Sequence, residues 1–213
     1  MKICTPHMGT VHVPLRALFT GLGAEVIVPP PSSRRTLSLG CKHAPEFICL
    51  PYKLMMGNFI EALEMGADTL VMIEGDRICR LGYYMRVMEQ ALRELGYEFQ
   101  VVTTRIFQRS LWRLPDALRI FSPQASLPTI VRALSLTLSK LGALDAVEKQ
   151  VHHVRPRELD FGQADALWRQ AIQEIDDAES VVAVGHARRR AVRALGRIPR
   201  NPAAPLRVGI IGE

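Results

Sequence analysis

Two cysteine-bearing turns are the places where this chain can do chemistry: Glu46-Phe47-Ile48-Cys49-Leu50-Pro51 and Asp76-Arg77-Ile78-Cys79-Arg80-Leu81-Gly82-Tyr83-Tyr84. Each sets its cysteine beside a proline or a positive residue, and each can present a thiolate to a shared ion. Thiolate is the soft ligand that iron–sulfur clusters and zinc prefer. Cys41 stands eight residues before Cys49, near enough to join them if the loop folds back. There is no Cys-x-x-Cys, so spacing alone leaves two readings open: thiolates on a metal or cluster, and unliganded cysteines buried in a core. Cys4, inside the first apolar strand, reads as core.

The elements that must position these turns follow from the apolar pattern. Leu54 to Gly66 reads as a helix stopped by glycine, and Asp68 to Ile73 as a short apolar run suited to a buried parallel strand. Cys79 then lies past a strand's carboxyl end, where open α/β sheets hold their ligands. Upstream, Lys2 to Thr5 is a strand, Pro14 to Leu22 a helix and Ala24 to Val28 a second strand, the opening of a parallel crossover unit. Ser32 or Ser33 caps a short helix over Arg34 to Leu39 that stops at Gly40. Tyr83 to Leu95 is a further helix, and Tyr97 to Thr103 a fourth strand.

Beyond Thr104 the pattern turns helical. Leu127, Val131, Leu134, Ile130, Leu138 and Leu141 form one apolar stripe, and Leu167, Ala171, Ile175, Ala178 and Val182 another. Two helices are expected to pack as a hairpin through Val154-Arg155-Pro156. Ser180 to Gly185 is read as helix, with a strand as the alternative. The expected fold is α/β: a Rossmann-like parallel sheet over residues 1–104, followed by a helical hairpin over 105–198. Residues 199–213 form a proline-rich linker and a last strand, Leu206 to Glu213. A Gly-x-x-Gly after an apolar strand ordinarily introduces a helix, so the chain reads as the front part of a longer design; an edge strand of the same sheet is the other reading.

With 213 residues, 48% hydrophobic and 23% charged, the chain can bury a core. No apolar run approaches the roughly 18–20 residues that span a bilayer, and Met1-Lys2-Ile3-Cys4 opens directly into a strand, so a cytoplasmic protein is expected. Four irregularly spaced cysteines do not form a disulfide framework. The net charge of +6 is concentrated at Arg105–Arg119 and Arg188–Arg200, a solvated basic surface rather than a nucleic-acid footprint. Within it, Arg105 to Arg113 interleaves cations and aromatics as a partner-docking or core-capping linker would.

His7, with the Met8-Gly9-Thr10 backbone, offers an anion-binding turn at a helix start, against the plainer reading of a structural turn. His152 and His153 are adjacent and diverge by about 100° on a helix, which makes them poor co-ligands. Glu61 and Glu64 fall at helical spacing with no base or nucleophile beside them, and no acid–base role is assigned to them.

Taken in order, Lys2-Ile3 through Pro6-His7-Met8-Gly9, Leu22 to Val26 with Pro29-Pro30-Pro31, Ala44 to Lys53, Cys79 to Tyr84, Val154 to Leu159 and Val208 to Glu213 resemble the amino-terminal part of the CoA-protein-activase-like family. That family is related to the activators and cluster-carrying subunits of 2-hydroxyacyl-CoA dehydratases. The resemblance implies a Rossmann-like protein that holds an iron–sulfur cluster, such as 4Fe-4S, through Cys49 and Cys79 and works beside an ATP-dependent electron donor. The sequence departs from the family pattern at one place. Where Gly-Gly-Cys-Gly-Pro-Cys-Arg is typical, the chain has Glu74-Gly75-Asp76-Arg77-Ile78-Cys79-Arg80. Asp76 thus replaces one implied ligand; a carboxylate is harder than thiolate but can take a single open iron site, and Cys41 can serve as the third thiolate.

The expected role is an electron-relaying or accessory component without independent catalysis, partnered by an ATP-dependent activase or dehydratase-like protein, with a homodimer also open. The alternative is a cluster-free interaction scaffold that binds a protein partner or a nucleotide- or CoA-like anion.

Overall fold

The computed structural model describes residues 1–72, 79–103, 118–202 and 209. They fall into two compact units, Met1–Val131 and Arg132–Glu213.

In the first unit β1 (Lys2–Cys4), α1 (His12–Gly21), β2 (Glu25–Ile27), α2 (Arg34–His43), α3 (Leu50–Glu64), β3 (Thr69–Met72), α4 (Leu81–Glu94) and β4 (Gln100–Thr103) alternate as expected. The four strands pair in parallel in the order β2-β1-β3-β4. The fold is therefore the α/β, Rossmann-like parallel sheet followed by helices that the apolar pattern predicts. β3 is buried at all four positions, which is why it reads as an unbroken apolar run. The strand order reverses between β1 and β3, so the switch-point crevice opens beyond the carboxyl ends of those two strands.

The α2 helix departs from expectation. It does not stop at Gly40 but runs on to His43. Its start is as read: Ser33 forms a capping box with Thr36, whose amide donates to the Ser33 hydroxyl. Gly40 serves close approach rather than termination. A Cβ on Gly40 would sit 1.7 Å from the Lys53 carbonyl oxygen, and one on Gly57 would sit 1.9 Å from that of Thr36. The two backbones thus touch at two points, and a buried hydrogen bond from the Thr36 hydroxyl to Glu61 (2.9 Å) lies beside the second. Glu61 is 3% exposed, and its role is to fasten the two helices.

In the second unit three helices follow, not two. α5 (Leu127–Val154) begins in the first unit and continues into the second; a 3₁₀ turn, Arg155–Arg157, leads to α6 (Gln163–Asp177) and α7 (Val181–Gly196). The stripe drawn through Ala178 to Val182 breaks because Ala178 is extended and Ser180 caps a new helix, its hydroxyl accepting from the Ala183 amide (3.1 Å). Ser180 to Gly185 is therefore a cap and a helix start, as favoured. α6 packs against α7, with Ala171, Ile175, Val184, Ala187 and Leu195 among their buried residues, and the expected pairing of α5 with α6 is linked by Lys140 to Asp176.

The face of α5 also differs from the one read from its largest residues. Leu127, Val131, Leu138 (65%) and Leu141 are exposed. Ile130 of that stripe is buried as expected, and the other buried positions are Ala133, Ala143, Leu144, Val147, Val151 and Val154, together with Lys140, whose ammonium donates to the Asp176 carbonyl oxygen (2.6 Å).

The Val154-to-Leu159 segment is an N-terminal clasp for α6. Glu158 accepts from the amides of Gly162 (2.9 Å) and Ala164 (2.7 Å), satisfying donors that a helix start leaves open. Arg155 pairs with Asp165 at 2.5 Å, and Leu159 and Asn201 bond across to Pro199 and Arg157.

The close crossing of α2 on α3 predicts that Gly57→Ala lowers stability by about 3 kcal/mol, since the new methyl meets backbone rather than a movable side chain. Gly142→Ala, in open space on α5, is expected to raise it by about 1 kcal/mol. Urea denaturation followed by circular dichroism checks both; equal midpoints for the two variants would remove the steric account.

Candidate functional site

The two cysteine turns are brought together by the starts of α3 and α4. Cys49 is the N-cap of α3, with Pro51 in the first turn. Cys79 immediately precedes Arg80, the N-cap of α4. Tyr52, three residues after Cys49, and Tyr84, five after Cys79, meet edge to face, with ring centroids 5.1 Å apart and planes at 85°. That contact registers one helix start against the other.

The Cys49 thiol is hydrogen-bonded to the Tyr84 hydroxyl. Burial foremost, then the bond to Cys49 and the charges of Cys49 and Cys79, push the Tyr84 phenol up to about 12, against a small opposing pull from Arg80. The phenol therefore keeps its proton well above neutral pH. Tyr52 is fully buried and is likewise raised to about 12, by burial. Its hydroxyl has no partner among the described residues. Met8, Ile48, Cys49 and Leu81 pack, partly buried, against the core that contains both tyrosines. The wall of the site is therefore apolar and aromatic, and two soft donors stand at its edge.

The other candidates fall elsewhere. Cys41 is exposed on α2, and among the described residues no three His, Cys, Asp or Glu side chains are gathered to hold a metal ion. Asp76 lies outside the described residues, as do Arg105 to Arg113 and all of Leu206 to Glu213 except Gly209. Cys4 is core, with burial lifting its thiol to about 12. The His7 ring nitrogen Nε2 bonds the Pro29 carbonyl oxygen (2.8 Å), and the His7 amide donates to the buried Asn58 side chain (3.2 Å). His7 thereby braces the β1 loop against the segment after β2, leaving the Met8-Gly9-Thr10 backbone as the part that faces the start of α1. His152 and His153 are exposed.

The turn, the first crossover and the cysteine-capped helix form one continuous stretch, and it is this stretch that resembles a known family. Residues 7–72 match the family described as CoA enzyme activase uncharacterised domain. The match runs from the His7 brace to Met72, the last residue of β3, so the matched stretch contains Cys41 and Cys49 and ends before Cys79. Comparison with curated proteins and with solved structures gave no match. No described helix is long and apolar enough to cross a membrane.

Sequence reasoning quoted Tyr52 and Tyr84 without giving them a role. No local pattern gives them one, because their contact depends on how the starts of α3 and α4 are placed against each other.

Because both phenols keep their protons to about pH 12 when folded and lose them near 10 when unfolded, the native state binds more protons between those values. Stability is therefore expected to fall as pH rises from about 10 to about 12. Tyr52→Phe, which deletes an unpartnered buried hydroxyl, is expected to add about 1 kcal/mol at neutral pH and to blunt the alkaline loss. Denaturation midpoints across that range, for wild type and variant, decide it; a destabilised Tyr52→Phe would mean that the hydroxyl has a partner.

Proposed function

We propose that this chain is an accessory component of a CoA-enzyme-activase type system and holds an iron–sulfur cluster through Cys49 and Cys79. The observation that supports this best is the hydrogen bond between the Cys49 thiol and the hydroxyl of Tyr84, a residue of the helix that Cys79 precedes. In type the donors suit such a cluster: two soft thiolates beside an apolar wall. In number the described residues supply only those two, so Cys41, Asp76 or a second copy of the chain would complete the set. When bound, the cluster would supply one-electron transfer.

The chain's own residues do the rest. Cys49 caps the start of α3 and Cys79 stands just before the cap of α4, so both thiols lie at helix starts. With Cys49 as a thiolate ligand, the Tyr84 hydroxyl would donate to its sulfur, and a hydrogen bond at a ligand sulfur is one of the means by which proteins set cluster potential. The Tyr52–Tyr84 wall excludes water on the core side. ATP hydrolysis belongs to the partner, an activase or dehydratase-like protein, in this proposal. The rival proposal is a cluster-free scaffold, and the incomplete donor set among the described residues is what favours it.

The test is anaerobic purification with iron and acid-labile sulfide analysis and a visible spectrum before and after dithionite. About four irons and four sulfides per chain or per dimer, with colour that bleaches on reduction, are expected for a cubane cluster. Cys49→Ser and Cys79→Ser should each lose most of the iron, whereas Cys4→Ala should keep it. Colourless protein that also resists anaerobic reconstitution would leave the scaffold.

A further inference from the structure

A second site lies on the α6–α7 pair, independent of the thiols. The two helices are separated only by Ala178 to Ser180, and a connection this short makes them antiparallel neighbours. Along their outer seam runs a groove of ≈ 400 Å³. Its floor is small and apolar: Leu167 and Ala171 from α6, Ala191 and Ala194 from α7. One edge carries Arg190, Arg193 and Arg197. Spaced i, i+3 and i+7, these arginines line one face of α7 over about 10 Å.

The charge balance of the groove is positive. Arg190 is bound to Glu174, its guanidinium donating to one carboxylate oxygen at 2.8 and 3.2 Å. That pairing, with a hydrogen bond from Gln170 (2.8 Å), holds the Glu174 carboxyl below its ordinary value, so it is ionised and saturated. Arg193 and Arg197 have no carboxylate partner among the described residues, and α7 itself contains no acidic residue. Cations in a last helical turn also complement the helix dipole. The dipole accounts for their charge but not for the alanine-floored channel beside them.

We propose that this groove docks an acidic amphipathic helix of a partner protein. Small floor residues let a third helix approach and seat its leucine-like side chains between the two ridges. Carboxylates at i, i+3 or i+4, and i+7 on that helix would meet the arginines in the same linear order, each as a charge-assisted hydrogen bond. A nucleic-acid backbone could use the arginines, but it brings no apolar side chain for the floor.

The test uses the 213-residue chain and fluorescence anisotropy with three probes: a labelled amphipathic Leu/Glu helical peptide, a scrambled peptide of the same composition, and a short DNA duplex. The amphipathic peptide should bind at least tenfold more tightly than the scramble. Arg193→Glu with Arg197→Glu, both exposed and without a described carboxylate partner, should weaken it by tenfold or more at unchanged helical content. Ala194→Phe, which fills the floor and leaves every charge in place, should weaken it at least fivefold. Equal binding of the scramble, no binding of the amphipathic peptide, or binding untouched by Ala194→Phe would overturn the proposal. Tighter binding of the duplex, with displacement of the peptide, would assign the arginines to nucleic acid instead.

Discussion

The contact between α2 and α3 is the constraint on which the first unit depends. Two glycines, Gly40 and Gly57, let carbonyl oxygens of the opposite helix occupy the space where side chains would begin. Such an approach gains dispersion along the whole crossing and leaves no room for sliding, because backbone cannot rotate out of the way. The buried Thr36–Glu61 bond fixes the remaining degree of freedom, and breaking it would leave the buried carboxylate to its longer pairing with Arg35 (4.0 Å). Since α3 carries Cys49 at its start and Tyr52 in its first turn, the position of the candidate site is inherited from a packing event more than a helical turn away.

The site itself is built by symmetry of use rather than symmetry of sequence. α3 and α4 each begin with a cysteine and present a tyrosine soon after, and the two rings close against each other. The result is a dry aromatic wall in which one phenol is engaged by a sulfur and the other, fully buried, has no partner among the described residues. A buried polar group without a partner is uncommon in a settled core, and its presence beside the thiols fits a region kept for function at some cost in stability.

Much of this was legible in the chain. Alternation of short apolar runs with glycine-stopped helices is enough to give a parallel α/β sheet, because few other folds bury such strands on both faces. Cys49 and Cys79 stood out by type, and Cys4 could be set aside because it sits in a strand. Gly40 misled, since a glycine that ends a helix and one that admits a neighbour look alike until the neighbour is known. The α5 stripe misled for a related reason. Side-chain size drew attention to Leu127, Val131, Leu138 and Leu141, whereas the buried face joins Ile130 and Leu144 to alanines and valines with a lysine stem among them. Val182 continued a helical period across a break that only the Ser180 cap reveals. The meeting of Tyr52 with Tyr84 requires tertiary knowledge that no local pattern holds.

The clasp before α6 has one further consequence. Residues 157–159 bond to residues 199–201 through Leu159 to Pro199 and Asn201 to Arg157, and Glu158 faces Arg200 in an antiparallel bridge. The α6–α7 pair is thus joined covalently at one end by Ala178–Ser180 and by backbone hydrogen bonds at the other, so that its path is close to a ring. A ring can be cut anywhere on its rim without falling apart. The exposed Glu179 turn is then dispensable for holding the two helices together: a chain nicked there would retain the pair, and a rearranged gene that links residue 200 to residue 157 and opens at Glu179 would fold it from the other side.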